Sequence, residues 1–524
     1  MIFKSPFPEA VIPQVSLTSF VFQNAGKNPD KPALIDGPSG RTITYGQLVG
    51  AIRLVASSLH KRGFRKGDVF AIYSPNIPEY AVAFYAVASL GGIVTTVNPL
   101  YTPHELAQQC NDCKARFLVT VPMFLEKAQE AQKLSTIEEV FVFGDAEGAT
   151  PFADLLAGDG KLPDVQINPL EDLVVLPYSS GTTGLPKGVM LTHHNLVANL
   201  CQLDGVVDFN SADTMIGILP FYHIYGMVVV MAYMLYVGGT VVSLPRFELE
   251  MFLKTLQDYK VTRACLVPPI ILALAKHPLV EKFDLSSLTL IFSGAAPLSA
   301  DLQEAVRRRL QITTVQGYGL TETSPVTHAT VNDPSKVKPG SVGPSIRSTD
   351  VRIVDPTSRT ELEAKHEGEV WIRGPQVMKG YLNRPDATAE TIDPQGWIHT
   401  GDIGYVDEDG YLYIVDRLKE LIKYKGLQVA PAELEGLLLT HEAVADAAVI
   451  PVPDEEAGEI PKAFVVLKPN QLMEAEELME FIAEQVAPHK KIRRLEFVTE
   501  IPKSTSGKIL RRMLVERERQ KTQH

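Results

Sequence analysis

The sequence predicts an α/β protein, with a large N-terminal domain of layered sheets and helices followed by a small α+β domain. Apolar runs alternate with helix-period patterns over the first four hundred or so of 524 residues, the pattern of layers built on parallel strands. That length exceeds what one hydrophobic core supports, so more than one domain is expected. Near Asp416-Arg417-Leu418-Lys419 the composition shifts. About a hundred residues of mixed strand and helix follow, the size of a small separate domain.

Local signals justify the elements in turn. Thr102-Pro103-His104-Glu105 opens a helix: Thr caps it, Pro suits its first turn and Glu closes a capping box. The helix is expected to run to about Cys113, with ARFLVTV after it as a buried strand and Cys110 and Cys113 one turn apart in a packing site. Residues 173–176 read as a buried strand, the Ser/Thr/Gly run after them as a loop, and Val189-Met190-Leu191 as extended chain. Thr192 then caps a helix beginning HHNLVANL. YVDEDGYLYIV reads as a hairpin with Asp409-Gly410 in its turn, and its acidic residues lack the EF-hand spacing for calcium.

The bulk properties exclude several classes. A formal charge of −12 lacks the basic footprint of a nucleic-acid binder. The single CxxC has neither a second pair nor a nearby His pair, which argues against zinc, and four cysteines in this length suit a reducing cytoplasm. MIFKSPFPEAVIPQ lacks the apolar core of a signal peptide, and the apolar run 224–237 is shorter than the ~20 residues of a membrane helix. The expectation is a cytoplasmic protein with no transmembrane segment. Residues 488–524 carry 11 basic against 4 acidic side chains, either a solvated helix face or a surface for an anionic ligand.

The chemistry starts at YSSGTTGLPKG, residues 178–188, with four Ser/Thr hydroxyls, three glycines and a lysine in one loop. Counting five places from Gly181 reaches Pro186 rather than glycine, and Lys187 is followed by Gly188, so the Walker pattern and a simple NTPase reading fail. IFSGAAP ends an apolar strand in small residues, Gly294, Ala295 and Ala296, where a flat purine can approach the backbone. In QGYGLTE, Tyr318 suits base stacking, Thr321 a phosphate and Glu322 Mg²⁺. Asp402 of TGD is a carboxylate suited to a ribose diol. PKSTSGK places Lys508 on a loop just before a helix.

With these motifs in this order, together with TYGQL and DRLKELIKYKG, almost the whole chain resembles the adenylate-forming superfamily. That superfamily contains acyl-CoA synthetases, coumarate–CoA ligases, firefly luciferase and peptide-synthetase adenylation domains. KYKGLQVAPAELE and PKSTSGKIL are most similar to the coumarate–CoA ligase and luciferase branch. The resemblance implies a large N-terminal ATP- and acyl-binding domain of layered mixed sheets and helices, residues 1–416. A small mobile C-terminal domain, 417–524, turns on a hinge at about 416–419. It implies two half-reactions: a carboxylate attacks the α-phosphate of ATP, giving acyl-AMP and pyrophosphate, and the thiol of CoA then takes the acyl group.

The same resemblance assigns roles by position. Ser179, Ser180, Gly181, Thr182, Thr183, Gly184 and Lys187 grip the β- and γ-phosphates of the leaving group. Gly294, Ala295, Ala296, Gln316, Gly317, Tyr318, Gly319, Thr321, Asp402 and Arg417 surround the nucleotide, with Arg417 and Asp402 at its ribose. Glu322 holds Mg²⁺, and Lys508 stabilises the charge that develops on the α-phosphate. After rotation of the small domain, Lys423, Gly426 and Gln428 replace Lys508. His223, within PFYHIYGM, lies near the acyl carboxylate and the thiol path.

The acyl group is expected to be hydrophobic, fatty or arylalkenoic. Amino-acid-activating relatives carry an aspartate in the segment 221–239, and this chain has no Asp or Glu there. Residues 227–236 are almost wholly apolar, whether as a tunnel lining or as core. Plant coumarate–CoA ligases typically have a serine four residues after the tyrosine of HIY, where this chain has Val229. A luciferase-like oxygenase and coumarate–CoA ligase proper are the alternatives, with a nucleotide-binding pseudoenzyme behind them.

Overall fold

The computed structural model describes residues 1–179, 186–425, 427–454, 456–504 and 507–522. Among the described residues the strands form two sheets of eight and two of five. The first large sheet has at its centre Leu290–Ser293, Arg263–Leu266, Thr214–Gly217 and Thr240–Ser243, all parallel. The second has Leu173–Ser179, Ile93–Thr96, Val69–Tyr73 and Ala115–Thr120, also parallel. Helix Pro78–Ser89 is buried over almost its whole surface. An all-round apolar helix belongs between layers. One core joins Leu34, Met215 and Ile291 of the first sheet to Ile72, Val94 and Val175 of the second.

The parallel pairing expected from the sequence holds at the sheet centres and fails at their edges. Lys187–Thr192 returns antiparallel to Leu173–Ser179, and Val326–Ala329 antiparallel to Thr313–Gly319. The third sheet, with Asp350–Val354, Gly368–Arg373, Ile398–Val406, Tyr411–Arg417 and Gly343–Pro344, is antiparallel throughout. Where the connection is short, as between Leu173–Ser179 and Lys187–Thr192, Thr313–Gly319 and Val326–Ala329, or Ile398–Val406 and Tyr411–Arg417, the physical reason is that only a hairpin fits, whereas parallel neighbours need a crossover of a dozen residues or more.

Thr102 accepts from the Glu105 amide at 3.3 Å while Glu105 accepts from the Thr102 amide at 2.8 Å, and helix Pro103–Cys113 follows. Its last turn closes on Lys114 at φ 55°, a left-handed residue that the sequence does not advertise with glycine. Cys110 and Cys113 are buried, and burial pushes both thiols up, so thiolate chemistry is disfavoured there. Thr192 and Asn195 repeat the reciprocal cap at helix His193–Leu203.

Beyond residue 421 the chain has cores of its own, around Ile422, Leu434, Val449 and Leu478 and around Ala448, Ile450 and Phe464. Strands Val444–Asp454 and Gly458–Leu467 form its centre, flanked by helices Pro431–Thr440 and Ala475–Ala483. A short link precedes it. Asp416 accepts from the amides of Arg417 at 2.7 Å and Ala432 at 2.9 Å, and Leu421 and Ala430 pack on Ile403. The basic tail is paired within itself and with its neighbours: Glu496 pairs with Lys462, Arg517 and Lys521, and Arg511 with Glu420 and Glu435. These pairs favour the charged-face reading of that segment over an anion site. Among the described residues no helix is long and apolar enough to cross a membrane.

Candidate active site

The strands Leu173–Ser179 and Lys187–Thr192 pair with Ser179 opposite Lys187 and Tyr178 opposite Gly188. Ser179 and Lys187 therefore stand at the two sides of the loop mouth. Ser180, Gly181, Thr182, Thr183 and Gly184 lie outside the described residues. Below the mouth the Tyr178 hydroxyl donates to Asp112 Oδ2 at 2.8 Å. A Cβ on Gly188 would lie 3.0 Å from the Tyr178 ring, so glycine lets the ring lie across the hairpin. Strand Gly380–Tyr381 adds to the free edge of Lys187–Thr192, setting the Tyr381 ring 4.4 Å beneath Lys187 Nζ.

Strands Leu290–Ser293 and Thr313–Gly319 are parallel neighbours, with Ser293 opposite Gln316. This register brings Gly294, Ala295 and Ala296 beside Gln316, Gly317, Tyr318 and Gly319. Ala295 is left-handed at φ 68°. A Cβ on Gly294 would sit 2.8 Å from the Tyr225 ring, whose hydroxyl donates to the Phe292 carbonyl at 2.9 Å. On Gly319 a Cβ would meet the Pro325 carbonyl at 1.9 Å, and on Gly317 the Phe292 ring at 2.5 Å, so close approach requires glycine at both. The Gln316 side chain is buried and engaged, accepting from the Leu298 amide at 3.2 Å and donating to Gln303 at 3.3 Å. It braces the loop from behind.

Tyr318 joins this loop to the antiparallel sheet, its hydroxyl donating to Asp402 Oδ2 at 2.5 Å. Asp402 is 5% exposed and lies opposite Arg417 in the register, with Arg417 Nε 3.4 Å from Oδ1. Burial raises the Asp402 pKa, against the pull of the Arg417 guanidinium. Thr321 and Glu322 follow in the turn Thr321–Thr323. Glu322 Oε1 accepts from the Tyr381 hydroxyl at 2.8 Å, and its carbonyl from the Met378 amide at 2.9 Å.

Lys508 reaches this group from the other side of the link. Ser504 organises its turn, donating its amide to the Lys508 carbonyl at 2.8 Å and accepting the Lys508 amide at 3.1 Å. Gly507, at φ 77°, approaches the start of helix Pro268–Lys276 so closely that a Cβ would lie 3.3 Å from Pro269. Burial lowers the Lys508 pKa and Arg417 lowers it further, while Asp402, Glu322 and Glu420 raise it. One ammonium thus senses the Asp402–Arg417 pair, Glu322 and Glu420 of the link together.

His223 faces the same ammonium. Its pKa is lowered to about 4, mainly by burial and further by the Lys508 charge, so the imidazole is neutral at pH 7. Two residues that sequence reasoning missed hold its turn. Asn76 accepts from the Phe221 amide at 2.7 Å and donates to the Gly217 and Leu219 carbonyls at 2.9 and 2.7 Å. Thr96 donates to the Tyr222 carbonyl at 2.7 Å. In sequence, Asn76 follows Ser74-Pro75 and looks like a turn residue, so only a turn signal was available. After His223 the chain forms a π-helix, Gly226–Ala232, and then helix Tyr233–Val237. Val229 lies in it, 1% exposed.

Lys423 stands apart. It is exposed, its amide donates to Glu459 at 2.7 Å, and its strand Ile422–Tyr424 pairs with Leu427–Val429, Lys423 opposite Gln428. Gly426 and the Gln428 side chain lie outside the described residues. The Lys508 ammonium senses the charges of Asp402, Arg417 and Glu322, and its own charge acts on His223. The donor set suits Mg²⁺. No group of three or more His, Cys, Asp or Glu residues able to hold a metal exists among the described residues. A single carboxylate, Glu322, with a hydroxyl beside it at Thr321 fits an ion that is bound largely through nucleotide phosphates and water.

Residues 21–382 match the family described as AMP-binding enzyme, and 433–508 match the AMP-binding enzyme C-terminal domain. The chain is 45% identical to 4-coumarate–CoA ligase 1 of Petroselinum crispum, over 98% of this chain and 96% of that one. It is 44% identical to a 4-coumarate–CoA ligase of Vanilla planifolia over the same shares. Among solved structures, an anthranilate CoA ligase in complex with anthranoyl-AMP superposes with TM-score 0.89 at 28% identity, covering 96% of this chain and 97% of that chain. The ATP-bound MatB of Rhodopseudomonas palustris superposes with TM-score 0.88 at 30% identity, covering 96% and 99%.

Proposed function

The chain belongs to the AMP-binding enzyme family, and on that premise we propose that it is an AMP-forming acyl-CoA ligase for a hydrophobic carboxylic acid. ATP and CoA are its co-substrates, and Mg²⁺ accompanies ATP. The observation that carries this reading is the contact of Asp402 with Tyr318 and Arg417, beside which the Lys508 ammonium, from the small C-terminal unit whose Gly507 lies against Pro269, senses Asp402, Arg417 and Glu322 and acts on His223.

In the first half-reaction the acid's carboxylate oxygen bonds to the α-phosphorus and pyrophosphate leaves. Negative charge spreads over the α-phosphate oxygens, and Lys508 supplies a cation where that charge develops. Asp402, aligned by Tyr318, holds the ribose with Arg417. Gly294 to Ala296 and Gln316 to Gly319 give the purine a flat wall, and the Ser179–Lys187 loop grips the leaving phosphates. Glu322 would hold Mg²⁺, which would supply neutralising charge beside the phosphates. Neutral His223 orients the acid's carboxylate without competing with Lys508 for charge.

In the second half-reaction the CoA sulfur bonds to the acyl carbon, the acyl–phosphate bond breaks, and AMP leaves. Residues 417–524 move as a unit about 416–419, withdrawing Lys508 and presenting Lys423, Gly426 and Gln428. The working arrangement is thus 1–416 and 417–524. Four free, buried cysteines, Cys110, Cys113, Cys201 and Cys265, suit a reducing cytoplasm.

For the acyl group, the relatives' activity makes a coumarate-type acid the second reading. Val229 favours an acid without a ring hydroxyl, because a valine cannot hydrogen-bond a phenol and burying one unpaired costs about 1–3 kcal/mol. The test is kcat/KM for hexanoate, decanoate, cinnamate and coumarate at saturating ATP and CoA, read by AMP release. Cinnamate or a fatty acid should lead. Coumarate well ahead would overturn the Val229 argument, and no acid-dependent AMP release would overturn the ligase reading.

A further inference from the structure

We propose that Tyr381 is a positioning residue for adenylation, its hydroxyl holding Glu322 and its ring holding Lys187. One side chain thereby ties the metal-site carboxylate to the phosphate-gripping lysine. The inference rests on the reading of Glu322 and Lys187 given above.

Tyr381 is 6% exposed, and it contacts both residues through different parts of its ring. The hydroxyl donates to Glu322 Oε1 at 2.8 Å, and Lys187 Nζ lies 4.4 Å from the ring centre. The backbone fixes the ring between them. Tyr381 pairs with Val189, two residues from Lys187, and its amide donates to Thr388 Oγ1 at 2.9 Å. Gly380 before it is at φ 147°, and a Cβ there would come 2.7 Å from Thr388. The same segment grips Glu322 a second time, through the Met378 amide on its carbonyl.

Each contact has a use in adenylation. Mg²⁺ demands near-ideal octahedral geometry, so its affinity depends on holding the one protein carboxylate in a single rotamer. A hydrogen bond to Oε1 does this and leaves lone pairs for the ion. Lysine is a flexible four-carbon chain, and the electron-rich ring face holds its ammonium near the loop mouth before a phosphate arrives. Because one ring makes both contacts, a shift of either partner is felt by the other.

Two substitutions separate the contacts. Tyr381→Phe keeps the ring under Lys187 and deletes the bond to Glu322, and Tyr381→Leu deletes both. Mn²⁺ serves as the metal probe, its binding to the enzyme–ATP complex read by electron paramagnetic resonance, alongside KM for ATP and kcat of acyl-AMP formation. Glu322→Gln calibrates the site: if it binds Mn²⁺ as wild type does, the metal reading of Glu322 fails, and the Tyr381 inference with it. With that difference in hand, Tyr381→Phe should weaken Mn²⁺ binding about ten-fold, the scale of one hydrogen bond to a charged group. It should leave KM for ATP at saturating metal within about two-fold, since the ring still covers Lys187. Tyr381→Leu should add a rise in that KM comparable to Lys187→Met. In the Glu322→Gln background, Tyr381→Phe should change Mn²⁺ binding no further. Wild-type Mn²⁺ affinity in Tyr381→Phe, or an undiminished loss in the double variant, would falsify the proposal.

Discussion

Asp402 is held twice before any nucleotide arrives, by the Tyr318 hydroxyl and by Arg417. Asp402→Ala should raise KM for ATP far more than KM for the acid, because a ribose contact binds ground and transition states alike. It should also cost about 1–3 kcal/mol of stability by leaving Tyr318 and Arg417 without their buried partner. Steady-state kinetics with each substrate varied in turn check the first, and an unchanged ATP KM would remove Asp402 from the ribose. His328 offers a residue-scale test of linkage. Burial lowers its pKa to about 3, below the ordinary value of 6.5. Between those values the unfolded chain binds more protons than the folded one, so this histidine's contribution to stability falls as pH drops from 6.5 toward 3. Buried Asp402, Asp416 and Glu435 are pushed up and act with the opposite sign, so the wild-type profile alone mixes the two. The difference isolates it: His328→Gln should flatten the loss on acidification by up to about 1.4 kcal/mol per pH unit, measured by urea unfolding at several pH values.

The turn carrying His223 shows how one element depends on another far along the chain. Gly226 starts the π-helix where a Cβ would lie 2.2 Å from the Pro220 carbonyl and 2.7 Å from that of Leu219. Those carbonyls border the turn that Asn76 and Thr96 hold. Gly226→Ala should therefore destabilise by about 1–3 kcal/mol and move His223, raising KM for the acid. A thermal midpoint and acid KM both equal to wild type would show that the turn relaxes freely. Elements whose stabilising contacts are local were legible beforehand: the capping box at Thr102, the N-cap at Thr192, and the hairpin turning at Gly410, φ 84°. The left-handed end at Lys114 and the π-helix were not, because neither follows from residue type within a few positions.

At the scale of the whole molecule, the proposed alternation assigns Lys508, which senses Asp402 and Glu322 and whose neighbour Gly507 lies against Pro269, to the first half-reaction and Lys423 to the second. Lys508→Ala should slow acyl-AMP formation by about 10²–10³-fold while a supplied acyl-AMP still passes to CoA. Lys423→Ala should do the reverse, sparing adenylation more than thioester formation. Equal losses in both half-reactions for Lys508→Ala would mean that the small domain does not alternate between them.

By itself the sequence determined the α/β class and the family, and it supplied the proposed change of unit near 416 and the candidate residue types of the site. Each is written in stretches of ten or so residues whose chemistry is local: hydroxyls and glycines for phosphate, a TGD carboxylate, a lysine just before a helix. Tertiary structure decided which of these meet. Tyr318 finds Asp402 across 84 residues, Tyr381 finds Glu322 across 59, and Asn76 holds a turn 141 to 145 residues away. Such contacts depend on which strands become neighbours and in what register. Register is set by burial across both faces of a sheet rather than by any residue's own preference. A tyrosine in a Gly-Tyr dipeptide carries no sign of its partner until the strand Gly380–Tyr381 pairs with Lys187–Thr192 and turns its ring between a lysine and a carboxylate.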